Sequence, residues 1–543
     1  MKSCLCSVAT NALWICLSFA IFFCGSVTAQ TRLVVDFERQ HQVIDNFGAS
    51  DAWSINPVVS KWISEGDDAA IERLAGFLFS TDRGIGLSAW RFNIGAGSAG
   101  QGAASRIPDP LRRAELIVPS PGGNIDRTKQ AGQIRLLQEA HQRGVTNFIA
   151  FLNSPPVWAT KNGLSHPAAG THIGSSNLNP SRRGEFIAFL VQVLQYLRGP
   201  EVGVPVNYIS PVNEPTWDWQ GQTQEGTPYN VADIKTLYRE LDEALQQVGL
   251  SSSVHIDGPE AVEYTAALSD EFKQRFDNQI YNGGMNGRGL GLYRNYISQF
   301  LGDPAMRRIL GNKISLHGYF SDAWEDRLGA LRDLVWENVQ QVSPDAKVWM
   351  SEFCILGDPG NARDFSGNGY RADDMQFALH LATVVHRDLI RLNASAWHWW
   401  LAVTPYDYKD GLLKISPQLE AHTLTPTKAF WAFGNFSRYI RPGYQRIALN
   451  GADDLNGLLA SAFKSADDDK LVIVVVNNAP TSHAIELEFK NAPFLLSSLS
   501  LTGYVTDRAN DLSPFDCGLS MEIPGESVLT IVGTVETPRK SDN

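Results

Sequence analysis

Two glutamates, each closing a short apolar run rich in β-branched residues, are the side chains of this sequence best placed to do chemistry. One run is Asn207-Tyr-Ile-Ser-Pro-Val-Asn-Glu214-Pro215 and the other Lys347-Val-Trp-Met-Ser-Glu352-Phe353, with the glutamates 138 positions apart (352 − 214). Such runs are buried strands of a parallel sheet, and barrel enzymes carry their chemistry at the carboxyl ends of those strands. Either glutamate alone reads equally well as a strand-end charge paired with an arginine. Together they read as the acid and the nucleophile of one site.

The elements that must position them alternate strand and helix about eight times, as a (β/α)8 TIM barrel requires. Strands are expected at 43–50, 88–95, 147–154, 207–214, 255–260, 314–320, 347–353 and 394–400, so that Glu214 ends the fourth and Glu352 the seventh. Helical spacing of apolar residues falls between them, at 68–80, 129–143, 181–197, 232–248, 293–310, 323–341, 371–392 and 426–439. Three long polar or Gly-containing connections, 95–126, 217–230 and 357–369, follow strands two, four and seven and are expected to wall a cleft. After Arg441-Pro-Gly443 the pattern changes to short alternating runs (458–463, 471–477, 483–489 and 528–532), which predicts an attached β-sandwich domain. Residues 31–37 alternate in the same way. The expected division is a signal peptide at 1–29, amino-terminal strands joining the sandwich at 30–42, the catalytic barrel at 43–440, the carboxyl-terminal sandwich at 441–535 and a tail at 536–543. The absence of a long linker favours rigid packing of the two parts.

Composition narrows the function. At 543 residues the chain exceeds what one core usually carries. Lys2, the apolar stretch 12–23 and Val27-Thr-Ala29 form a cleavable leader, with the cut after Ala29, so the protein is expected to be secreted or periplasmic, without an integral membrane span after processing. Of six cysteines, Cys4, Cys6, Cys16 and Cys24 lie in that leader, leaving Cys354 and Cys517, which make neither a disulfide framework nor a Cys-rich metal site. Cys354, two residues past Glu352, reads as a nucleophile or as a buried thiol; it is assigned no role. The formal charge of −12 becomes −13 without Lys2 (−12 − 1), and no basic block offsets it, which argues against nucleic acid and anionic membranes as partners. A neutral polysaccharide or oligosaccharide suits the chain better, since 14 Trp and 15 Tyr offer faces on which sugar rings stack. No cofactor is expected, and His255 with His317 lacks the carboxylate spacing of a metal site. The protein is expected to be a monomer.

The sequence at this point resembles a known family. Asn213-Glu214-Pro215 and Ser351-Glu352-Phe353 on strands four and seven look like the clan A glycoside hydrolases. The segments Asn46-Phe-Gly-Ala-Ser-Asp51-Ala-Trp53, Trp90-Arg91-Phe-Asn-Ile-Gly95, Asn153-Ser-Pro-Pro-Val-Trp158 and Leu316-His317-Gly-Tyr319 resemble glycoside hydrolase family 30, across about residues 31–535. That family includes glucosylceramidases, β-1,6-glucanases, β-1,6-galactanases and xylanases. The resemblance implies a retaining O-glycosyl hydrolase with Glu214 as acid/base, Glu352 as nucleophile, Asn213 on the sugar 2-hydroxyl and Arg91 on Glu352. It implies a sugar-gripping wall of Asp51, Trp53, Trp158, Tyr319, Trp397 and Trp400, with Trp399 facing the helices. His317 would donate to a hydroxyl or to Glu352, or serve structure alone. The leading substrate is β-1,6-galactan, cleaved by an endo-β-1,6-galactanase. Xylan, β-1,6-glucan and a glucosylceramidase-like β-glycoside stay open; Arg106, Arg112 and Arg113 in the strand-two loop could serve a uronate. A non-catalytic carbohydrate-binding protein on the same barrel is the alternative of a different class.

Overall fold

The computed structural model describes residues 30–168, 174–217, 219, 223–275, 295–323, 327–356, 371–405 and 409–535. The predicted leader (1–29), the tail (536–543) and the expected strand-seven loop (357–369) lie outside the described residues.

Eight parallel strands close a barrel: Asn46–Ser50, Ala89–Asn93, Asn147–Phe151, Tyr208–Ser210, His255–Ile256 continued by Pro259–Ala261, Lys313–His317, Lys347–Phe353 and Ala394–Thr404. The first strand pairs with both the second and the eighth. The fifth is broken: its first half pairs with strand four and its second half with strand six. At the break Gly258 has φ 142°, and a Cβ there would lie 2.1 Å from the Tyr238 hydroxyl, so glycine is required. Strand four stops at Ser210, short of the expected Glu214, because Pro211 has no N–H to continue the ladder.

Helices cover the barrel where the apolar spacing placed them, at Asp68–Phe79, Ala131–Gln142, Arg183–Arg198, Val231–Gln247, Met375–Ile390 and Lys428–Ser437. Asp67, Asn230, Asp374 and Thr427 cap four of these by accepting a backbone N–H of the first turn. The single helix expected at 293–310 is interrupted: Asp303 caps a separate Pro304–Ile309, since proline starts a helix but cannot continue one. Ile55–Glu65 adds a helix before these, with Ile55, Val58, Val59 and Trp62 burying one face at helical spacing.

Strand Thr31–Val43 runs antiparallel to Gln445–Asn450 and parallel to His483–Lys490 within a nine-stranded sheet completed by Leu458–Lys464, Lys470–Asn477, Leu499–Thr506, Ser513–Phe515, Ser520–Ile523 and Ser527–Val535. Hydrogen bonding is unbroken through all nine strands. One face sends Leu459, Phe463, Val472, Val474 and Val476 into the barrel's core, while the alternate residues Leu458, Ala460, Ala462, Leu471 and Ile473 join Leu33, Val35 and Ile485 in a second core. Asn435 on the last barrel helix donates to Tyr504 O and Thr530 Oγ1, pinning sheet to barrel.

Candidate active site

Three glutamates, not two, converge at the carboxyl ends of the strands. Glu214 follows strand four, Glu260 ends strand five and Glu352 lies in strand seven. Glu214 and Glu260 both adopt left-handed backbone (φ 43° and 54°), and Glu214 N donates to Glu260 O at 3.1 Å, so each turn fixes the other. Buried Arg91, on strand two, donates through Nη1 to Glu352 Oε2 at 2.6 Å and through Nη2 to Glu260 Oε2 at 2.8 Å. Its guanidinium lies 4.2 Å from the centre of the Phe151 ring.

His317 sits among the three carboxylates. Its Nδ1 is 3.0 Å from Glu214 Oε1 and 3.5 Å from Glu352 Oε1, and its Nε2 is 3.0 Å from Glu260 Oε2. Burial opposes its charge, but Glu352's charge and the bonds to Glu214 and Glu260 prevail and lift its pKa to about 10. It is therefore an imidazolium that donates from both nitrogens. Burial likewise opposes the charge on Glu260, yet Arg91 and His317 hold its pKa at about 2. Burial pushes Glu214 the other way, above the usual carboxyl range; the His317 bond and charge pull it back, and the charges of Glu352 and Glu260 add to the rise. Tyr319 Oη donates to Glu352 Oε1 at 3.0 Å, its phenol held protonated by burial and by Glu352's charge.

The charges close. Arg91 and His317 supply two positives, Glu260 and Glu352 two negatives, and a protonated Glu214 leaves the cluster neutral (+2 − 2 = 0). Glu214, His317 and Glu352 also present ligand atoms within 4.8 Å of one another. An imidazolium whose two N–H groups both donate has no lone pair for a cation, so this spacing suits proton transfer rather than metal binding.

The cluster opens into a cleft of about 180 Å³ lined by Trp53, Arg112, Trp217, Trp219, Tyr319 and Trp400, among others. Trp53 meets Trp400 edge-on at 5.3 Å, and Arg112 lies over the Trp53 ring at 4.4 Å. The loop after strand four thus walls the cleft through Trp217 and Trp219, the latter donating from Nε1 to Glu214 O at 3.1 Å.

Other expected site residues lie elsewhere. Trp397 faces the helices, its Nε1 on Asp388 Oδ2 at 2.8 Å, and stacks beside Trp399. Residues two apart on a strand share a face, so it is Trp400 that turns inward. Trp158 packs edge-on against Phe189 of helix Arg183–Arg198 and donates to Val118 O. Asp51 is fully buried, accepting from Asn93 N at 2.7 Å and Gln133 Nε2 at 2.8 Å; burial lifts its carboxyl to about 7 against those bonds. It ties strand one to strand two and to helix Ala131–Gln142. Asn213 is buried beside Glu214, with Oδ1 unpaired among the described residues. Cys354 lines the cleft, but burial pushes its thiol up, away from a reactive thiolate.

Glu260 was the missed residue. It closes its run as Glu214 and Glu352 close theirs, and that position was the available signal.

Residues 30–414 match the model of O-glycosyl hydrolase family 30. The chain belongs to glycoside hydrolase family 30. This family 30 chain is 25% identical over 482 residues to an endo-β-1,6-galactanase of Hypocrea rufa, covering 84% of the chain and 83% of that relative. A conserved exported protein from Bacteroides fragilis superposes with a TM-score of 0.75 at 27% identity, covering 92% of this chain and 100% of that one. The catalytic domain of the family 30 xylanase C from Talaromyces cellulolyticus shares the fold at a TM-score of 0.65 and 20% identity, covering 93% of this chain and 100% of that one. The family 30 enzyme is a glycoside hydrolase, and no helix among its described residues is long and apolar enough to cross a membrane.

Proposed function

We propose that this enzyme is an exported endo-β-1,6-galactanase in which Glu352 attacks the anomeric carbon and Glu214 is the acid/base. The observation that carries the roles is the clamp on the two carboxylates. Glu352 accepts hydrogen bonds from Arg91 and Tyr319, while burial raises Glu214 above the usual carboxyl range, toward the protonated form an acid needs. In retaining glycosidases the two carboxyl groups lie about 5–5.5 Å apart, with no room for an attacking water; here they present oxygens within 4.8 Å.

His317 occupies Oε1 of Glu214, so the transferable proton resides on Oε2. In the first step that proton passes to the leaving oxygen as the glycosidic bond breaks and a Glu352 oxygen bonds to the anomeric carbon. Esterification removes Glu352's charge just as Glu214 gains one, so the cluster stays neutral in the intermediate. Glu214, freed of Glu352's repulsion and held by His317, then takes a proton from water, which displaces Glu352 and restores the starting charges.

Galactan is favoured by the similarity to the Hypocrea galactanase over most of both chains. A uronate-reading xylanase is the second reading, favoured by Arg112 in the cleft. Against it, Arg113 is taken up by the Ile107 and Pro108 carbonyls and Arg106 is exposed. Export is supported by the leader pattern at 1–29 and by the likeness to the exported Bacteroides protein. The nine-stranded sheet is read as the expected sandwich, supported by the core its own strands enclose. Assay on β-1,6-galactan, β-1,6-glucan and glucuronoxylan tests the reading: galactan should be cleaved fastest, into oligosaccharides. Preference for glucuronoxylan would favour the second reading, and no turnover on any glycan would leave a binding protein.

A further inference from the structure

A second cavity, of about 1060 Å³, opens at the other end of the barrel. It lies between strand Thr31–Val43, helix Arg332–Val342 and strand Gln445–Asn450. Lys347 and Ser395, near the amino-terminal ends of strands seven and eight, line it, whereas Glu352 and Trp400 lie toward the carboxyl ends of the same strands. The catalytic machinery uses nothing in it.

Its wall holds a buried cation that no carboxylate among the described residues pairs with. Arg446 is 5% exposed, and its Nε and Nη2 donate to two neutral amide oxygens, Gln42 Oε1 at 2.6 Å and Asn393 Oδ1 at 3.1 Å. Nη1 makes no hydrogen bond to the described residues, and no carboxylate among them pairs with this guanidinium. Burial, with no anion to offset it, pulls the Arg446 pKa down to about 9. Its field reaches His41, whose pKa falls to about 4 through burial and then through Arg446 and Arg39. Two nearby acids are committed elsewhere: Asp333 binds Arg391 at 3.2 Å, and Asp453 binds both Arg387 and Arg391. The third, Asp345, is exposed. Half-buried Trp336 lines the same groove.

A desolvated guanidinium is stabilised most by an anion that accepts its remaining N–H edge, and an indole lining the same groove offers a face to the C–H side of a pyranose. We propose that this groove is a second carbohydrate site that takes a uronate-bearing oligosaccharide, its carboxylate on Arg446 Nη1 and its ring against Trp336. Holding an acidic residue of a polysaccharide there would raise the effective concentration of the chain at the cleft. The inference does not depend on which glycosidic bond the cleft cleaves.

Calorimetric titration of the full enzyme with trigalacturonate, and with neutral β-1,6-galactotriose as the control, tests it. Trigalacturonate should bind, more weakly as salt rises, with affinity falling at least tenfold in Arg446→Gln and at least threefold in Trp336→Ala. Turnover of a small chromogenic β-glycoside should be unchanged in both variants, which shows that they fold. Trp53→Ala, in the catalytic cleft, should bind trigalacturonate as the wild type does. Absence of trigalacturonate binding at millimolar concentration would overturn the proposal, as would equal affinity in Arg446→Gln, equal losses for the neutral trisaccharide, or loss of binding in Trp53→Ala. Should Arg446→Gln fail to fold, Trp336→Ala decides, and undiminished affinity there overturns the proposal.

Discussion

His317 Nδ1 lies 3.0 Å from Glu214 Oε1, so in the proposed mechanism one oxygen of the acid is occupied and the proton it transfers sits on the other. The opposite nitrogen rests on Glu260, which links the acid's ionisation to a third carboxylate that touches no substrate in this account.

Glu214→Ala should lose activity in proportion to how poor the leaving group is. General acid assistance contributes about 10²–10⁴-fold on a polysaccharide alkoxide and little on an activated nitrophenolate. Azide, which needs no deprotonation, should accelerate the variant on an activated glycoside and yield a glycosyl azide of retained configuration. Equal losses on both substrates, with no azide effect, would assign the acid elsewhere.

Glu260→Gln tests the link through His317. Removing one negative charge makes the cluster release a proton more readily, so the basic limb of kcat/KM against pH should move to lower pH. A purely structural Glu260 would reduce the rate and leave the limb in place.

Trp53 and Trp397 should separate cleanly. Trp397→Ala empties a packed site and removes the indole donor from Asp388 Oδ2, while Arg332 and Tyr264 still hold Oδ1, costing about 3–5 kcal/mol of stability, with KM unchanged among the molecules that stay folded. Trp53→Ala should raise KM with little change in thermal midpoint. The reverse pattern would return Trp397 to the cleft.

Sequence order carried the barrel because each strand is a local apolar run and each helix a local periodicity, and Glu214 and Glu352 were visible because both terminate such runs. Glu260 terminates one too, but its meaning comes from Arg91 and His317, which are 169 and 57 positions away. Asp51 and Trp158 follow their strands by one and by seven residues, and only the tertiary fold shows that their side chains turn to Gln133 and Phe189 on the surrounding helices. Trp397 was a parity error that strand geometry alone could have corrected. The groove around Arg446 had no local signature, since its walls come from both ends of the chain.

Stability should peak near pH 6.5 as far as three buried histidines govern it. Burial, then Arg387 for His386 and Arg91 for His398, lowers each of those pKa values to about 3. Above the ordinary value of 6.5 both are neutral folded or unfolded; between 6.5 and about 3 only the unfolded chain binds the protons, so stability falls as pH falls. His317, raised to about 10, works oppositely: its contribution is complete below 6.5 and is lost as pH rises toward 10. His386→Gln should flatten the fall of the thermal midpoint between pH 6.5 and 4, and an unaltered slope would refute the assignment.

If Glu352 is the nucleophile, it forms a covalent bond to the sugar. Incubating the enzyme with an activated 2-deoxy-2-fluoro β-glycoside of the sugar it cleaves, then digesting it and sequencing the labelled peptide by mass spectrometry, tests that directly. One equivalent of label is expected, on Glu352, with Glu352→Gln unlabelled and at least about 10³-fold less active. Label on any other residue, or an enzyme that turns over its natural substrate with inversion and takes up no label, would contradict it.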